Sequence, residues 1–164
     1  MKKIILIAAV TFLASVGFSQ KYGHLNAQEV LKELPEYIAA QKEMESYGQQ
    51  KEKELMTLQQ NFQEQYAKYE RDAATLTPEI RKSRENDLMD LQQNIQKFQQ
   101  SAQEKIQKKE IELLDPMINK VKEAIQVVGK ENGYTYIFDT SAGSILYFDG
   151  GKDVSELVKK QLAK

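Results

Sequence analysis

The stretch Leu55–Phe98, LMTLQQNFQEQYAKYERDAATLTPEIRKSRENDLMDLQQNIQKF, decides the fold. In its first half Leu55, Leu58, Phe62, Tyr66, Tyr69, Ala73 and Leu76 recur at steps of three or four, so they line one face of a helix, with a local slip in the heptad where Leu58 to Tyr66 spans eight. In its second half Leu88, Leu91, Ile95, Phe98 and then Ala102 keep near-heptad spacing. Between the halves, Thr77-Pro78-Glu79 is a helix start. Thr caps free amides, Pro at the first helical position needs no donor, and Glu suits the positive helix end. Two long polar helices therefore fold back on each other. If residue i pairs with residue 153 − i, Ala40 meets Leu113, Tyr47 meets Ile106, Leu58 meets Ile95, Phe62 meets Leu91 and Ala73 meets Ile80. A thin seam of this kind makes an arm, which grips or spaces things and rarely houses a catalytic pocket.

Outward from the hairpin, the first long helix reads from Glu36 to about Leu76. Before it lie a short strand within Lys21–Asn26 and a short helix over Ala27–Leu34, halted by Pro35. In the second arm Pro116 is expected to kink or break the helix. The pattern resumes from Met117 to about Lys130 with Val121, Ala124, Ile125 and Val128, and Asn132-Gly133 ends it. Tyr134–Phe138 and Ser144–Phe148 are aromatic and β-branched and read as a β-hairpin. Gly150-Gly151 turns the chain, and Asp153 with Glu156 resembles a capping box opening a last helix. The fold class is α+β and mostly helical. A small α/β body is built from residues 20–35 and 117–164, and a coiled-coil hairpin arm spans 36–116 with its tip near 76–78. So small a core usually needs oligomerisation. Open strand edges offer the means, and Ile137, Phe138, Ile145 and Tyr147 are the candidate oligomerisation residues.

The N-terminus reads as a secretory signal peptide: Lys2-Lys3, an apolar run from Ile4 to Ala14, and small residues at Gly17 and Ser19 before a cut near Ser19/Gln20. The run is shorter than the ~20 residues of a spanning helix. The chain has no Cys, which excludes disulfides and thiolate sites. Cleavage would remove two lysines, leaving 21 of the 23 basic residues against 24 acidic ones, net −3. That balance supports no nucleic-acid partner.

Candidate chemistry is sparse. Gly150-Gly151-Lys152 lacks the first Gly and the final Ser or Thr of a phosphate loop, because Leu146 and Asp153 stand there. It reads as a turn. His24 is the only histidine and reads as a surface or strand-edge residue rather than a metal ligand. Acidic residues interleave with Lys along helices, as on solvated faces. No catalytic residue, metal site or cofactor is expected. All three arginines, Arg71, Arg81 and Arg84, lie near the turn with Lys82. They form a candidate tip contact for acidic clients or, weakly, for lipid headgroups; ordinary ion pairing is the alternative. Tyr47, Met56, Tyr66 and Tyr69 on the first arm are candidate client-binding residues, since a two-helix arm leaves apolar surface accessible. Seam packing is the competing reading. Fourteen glutamines between residues 41 and 112 solvate the arms without a strong field.

The chain resembles the Skp/OmpH family of periplasmic chaperones. The local match is LLDPMINKVKEAI over 113–125, ENGY over 131–134, IFD over 137–139 and DVSELVKK over 153–160, in an order of elements that is also similar. The resemblance implies a homotrimer with a small intersubunit β-body. Helical tentacles around a cavity would hold unfolded outer-membrane proteins without nucleotide. The expected function is an ATP-independent periplasmic holdase; an envelope spacer or adaptor with one defined partner is the alternative. The family's better-known members are strongly basic, whereas this chain is not, which weakens any expectation of electrostatic client capture or lipopolysaccharide binding.

Overall fold

The computed structural model describes residues 20–164, so the signal-peptide reading lies outside the described residues. The elements are β1 (Tyr22–Leu25), α1 (Ala27–Lys32), α2 (Pro35–Asp72), α3 (Pro78–Glu131), β2 (Tyr136–Asp139), β3 (Lys152–Asp153) and α4 (Ser155–Leu162). They divide into two compact units. One holds the described residues up to Leu31 together with Asn119–Lys164; the other is Lys32–Ile118.

In the sheet unit β1 is central. All three strands are parallel, in the order β2-β1-β3. Tyr22, Gly23, His24 and Leu25 stand opposite Tyr136, Ile137, Phe138 and Asp139. Side chains alternate across a strand, so Gly23, Leu25 and Ile137 share one face, and Tyr22, His24, Tyr136 and Phe138 share the other. The first face covers the core of Leu25, Val30, Val121, Ala124, Val128, Val154 and Val158, all buried. Gly23 is needed there. A Cβ would sit 3.0 Å from Val154 Cγ1 and 3.2 Å from the Tyr134 ring. The Asp139 carboxylate ties β2 to α1, accepting from the amides of Ala27 at 3.1 Å and Ser141 at 2.9 Å.

The expected β-hairpin is not formed. β2 pairs with β1, and residues 144–149 belong to no strand. Their composition suits a strand, but strand propensity largely reports packing against neighbours. Here the segment lays Phe148 against His24, with ring centroids 4.7 Å apart, and extends no ladder. Leu146 and Tyr147 remain 95% and 79% exposed. The capping box is also corrected. Asp153 lies in β3 and accepts from the Ser155 amide at 2.8 Å, while the N-cap position is Val154 and Glu156 pairs with Lys159. His24 sits on the central strand, not on an edge.

In the hairpin unit, α2 ends at Asp72, short of Leu76. The Thr75 amide and hydroxyl both turn back to the Asp72 carbonyl, and the Arg81 guanidinium donates to the Ala73 carbonyl at 2.8 Å, so the last turn finds its partners outside the helix. Thr77 Oγ1 accepts from the Ile80 amide at 3.4 Å, opening α3 as expected. Polar contacts that join the arms include Tyr69 hydroxyl to Glu85 at 2.6 Å, Lys109 to Glu43 at 2.6 Å, and Arg81 to Ala73. Each falls within one residue of the 153 − i pairing. The seam residues Leu55, Leu58, Phe62, Leu91, Ile95 and Phe98 are half-buried. Pro116 does not interrupt α3, which runs on to Glu131. Proline removes one backbone bond, but the turns that follow bury Val121, Ala124 and Val128, which hold the helical register. The helix stops as expected: Gly133 has φ +66°, and the amides of Gly133 and Tyr134 return to the carbonyls of Lys130 and Gly129.

Candidate functional site

The four candidate client residues on α2 separate into two kinds. Met56 is 62% exposed and Tyr66 is also exposed, although Tyr66 stacks on Phe62 with centroids 6.1 Å apart. A hydrogen bond to Glu70 raises the Tyr66 phenol above its usual pKa. Tyr47 and Tyr69 are half-buried and already engaged. The Lys51 ammonium lies 5.4 Å from the Tyr47 ring centroid and is held there by Glu54 at 2.8 Å. The Tyr69 hydroxyl donates across the arms to Glu85, and that bond raises its pKa. Ile80, set opposite Ala73 by the pairing, is exposed, and sequence reasoning missed Ile38, Met89 and Ile111, which are exposed on the same two helices. They fall outside the seam periodicity, and isolated apolar residues in a polar stretch give little signal.

The tip residues do not form one patch. Arg81 braces the turn through Ala73. Arg84 is half-buried and lines a groove of about 350 Å³ with Tyr69, Asp87 and Asp90. Arg71 is exposed beside Asp72 at 3.5 Å, and Lys82 is exposed.

The candidate oligomerisation residues lie in the sheet unit. Phe138 belongs to an exposed aromatic row with Tyr22 and Tyr136, with centroids 6.0–6.3 Å apart. Phe138, Ile145 and Tyr147 line a groove of about 430 Å³ on that outer face, together with Tyr22, His24 and Phe148. Ile137 points the other way; its Cδ1 would lie 3.5 Å from a Cβ at Gly129, on the core side. The His24 Nδ1 and the Tyr134 hydroxyl are buried without a partner among the described residues. Asp153, next to His24 in the ladder, is held below the usual carboxylate range chiefly by Ser155.

Among the described residues no cluster of His, Cys, Asp or Glu is placed to hold a metal, and no helix is long and apolar enough to cross a membrane. A helical hairpin with a half-exposed seam, and a small sheet with an exposed aromatic face, define a protein that works through surfaces. The comparisons with known proteins agree. The family described as Outer membrane protein (OmpH-like) matches residues 21–162. The chain is 26% identical over 166 residues to "Chaperone protein Skp" of Photorhabdus luminescens, covering 99% of each chain. It is 23% identical to the protein of the same name in Pectobacterium atrosepticum, over 91% of this chain and 89% of that one. An OmpH-like outer membrane chaperone of Caulobacter crescentus shares the fold, with a TM-score of 0.74 at 14% identity, over 87% of this chain and 83% of that one. The chain belongs to the OmpH-like family, a family of chaperones and not of enzymes.

Proposed function

We propose that the chain is an ATP-independent periplasmic holdase that shields unfolded outer-membrane proteins against its helical arm, working as a homotrimer. The observation that carries this reading is the accessibility of apolar side chains on the arm. Ala40 and Met117 are the buried hydrophobic residues of the hairpin unit, while the seam is half-exposed and Ile38, Met56, Met89 and Ile111 are open to solvent. Such a surface offers many weak contacts, and each is easily broken when the client moves on. The curated relatives named chaperone and the relation to an OmpH-like outer membrane chaperone support the same reading. Arg71 and Lys82 are both exposed and would serve a weak lipid or acidic-client contact at the tip.

The test is dilution of several unrelated urea-unfolded outer-membrane barrel proteins into buffer with the purified chain and no nucleotide. Suppressed light scattering for all of them is the expected result. Suppression for one partner only favours an adaptor, and suppression for none removes the holdase reading.

A further inference from the structure

Gln92, Gln96, Gln99, Gln103 and Gln107 of α3 follow one another at steps of four, three, four and four, which places them in one stripe along the helix. All five are exposed, and none has a side-chain hydrogen-bond partner among the described residues. Four of the seven glutamines of α2 behave differently: Gln41, Gln49, Gln50 and Gln60 donate to Tyr37, Glu45, Glu54 and Glu64 one turn away. On α3 the side chains one turn away are mostly other glutamines, so the amides stay open. Glu110 and Leu114 continue the stripe into a groove of about 450 Å³, where Tyr37, Ala40 and Met44 of α2 supply an apolar floor. The groove on the other side of the hairpin is charged, with Arg84, Asp87 and Asp90 beside Asn61 and Asn94. Asn94 lies two residues from both Gln92 and Gln96, about 200° around the helix.

We propose that the Gln92–Gln107 face of α3 is where an unfolded client chain lies extended, with its peptide groups hydrogen-bonded by the glutamine amides and its apolar side chains lodged near Leu114, Met44 and Tyr37. This rests on the holdase reading. A glutamine amide presents an acceptor and two donors, the same chemistry as the peptide group it would meet. It carries no charge, so it repels no client of either sign and makes no ion pair with a phosphate headgroup. The stripe repeats about every 5.6 Å along the helix axis. Same-side residues of an extended chain repeat about every 6.7 Å, a mismatch that flexible glutamine side chains absorb. Recognition of backbone rather than sequence suits a protein that accepts many clients.

The first experiment places benzoylphenylalanine at Gln96 or Gln103, or at Asp90 or Asn94 on the charged face, in the full mature chain mixed with a urea-unfolded barrel protein. Client adducts should form several-fold more at 96 and 103. Equal adducts on both faces, or adducts between copies of this chain, overturn the proposal. The second uses Q96A/Q99A/Q103A, which keeps a strong helix former at each position. Loss of three weak hydrogen bonds should raise the concentration needed to suppress client aggregation by about tenfold, with helix content unchanged by circular dichroism. If the wild type suppresses aggregation and this variant matches it, the face is wrong while the holdase reading stands. If the wild type suppresses nothing, both fall.

Discussion

Gly23 and Gly48 respond in opposite ways to the same methyl group. In β1, a Cβ on Gly23 meets Val154 at 3.0 Å and the Tyr134 ring at 3.2 Å, and both belong to the packed sheet unit. Gly23→Ala should destabilise the protein by about 1–3 kcal/mol, as overpacking does, read as a lower urea midpoint. In α2, a Cβ on Gly48 meets nothing within 4 Å. Gly48→Ala should therefore gain up to about 1 kcal/mol of helix stability, and no gain would mean that the position is not helical in solution. Asp139 gives a pH dependence of known sign. Burial alone would raise its pKa, but the hydrogen bonds from Ser141 and Ala27 hold it below the usual carboxylate value. A carboxylate depressed in the folded state stabilises above its unfolded pKa of about 3.9 and loses that contribution as pH falls through the folded value. Asp139→Asn should flatten this acid-side slope of stability; an unchanged slope in urea titrations between neutral and acid pH would reject the role. None of these distinctions is readable from the sequence, because each depends on what the fold brings beside the residue.

The long helices and their turn were legible because helical periodicity is local: every neighbour along Leu55–Phe98 lies three or four residues away. The sheet was not. Asp139 caps Ala27 across 112 residues, and β2 joins β1 in parallel across the whole length of α2 and α3. A short aromatic run carries no label for its partner, so two such runs near each other look like a hairpin. For a related reason the helix is not broken at Pro116, since local chemistry argues for a break while burial of the following turns argues against one. Of the candidate site, the sequence pointed to Met56 and Tyr66 but could not separate them from Tyr47 and Tyr69, whose partners come from packing. The seam itself remains testable. Phe62 and Leu91 are half-buried on facing helices, so alanine at either should cost about 2 kcal/mol, at the low end for large-to-small changes. The double mutant should be non-additive, because the pairing sets the two side chains against each other. Purely additive losses in a double-mutant cycle would reject the pairing.

At the scale of the whole molecule the question is what covers the outer face of the sheet. Tyr22, Tyr136 and Phe138 stack along that face, and Tyr147, Leu146 and Phe148 stand exposed beside it. Contiguous exposed aromatic residues of this kind make the face a candidate interaction surface. Both outer edges of the three-stranded sheet are also open among the described residues. We propose that further copies of the chain satisfy both needs, with three the expected number. Two neighbouring residues separate assembly from folding. Phe138 faces outward and is exposed, so Phe138→Asp should release monomers while leaving the sheet unit folded. Ile137 faces the core beside Gly129, so Ile137→Asp should unfold the sheet unit itself, since a buried unpaired charge costs several kcal/mol. Native mass measurement with circular dichroism reads both. The expected outcome is a trimer for wild type, a folded monomer for Phe138→Asp, and a loss of ordered sheet structure for Ile137→Asp. A wild type that is folded and monomeric at micromolar concentration would show that the aromatic face is covered by something other than this chain. A Phe138→Asp protein that still assembles would move the interface to the free edge of β2.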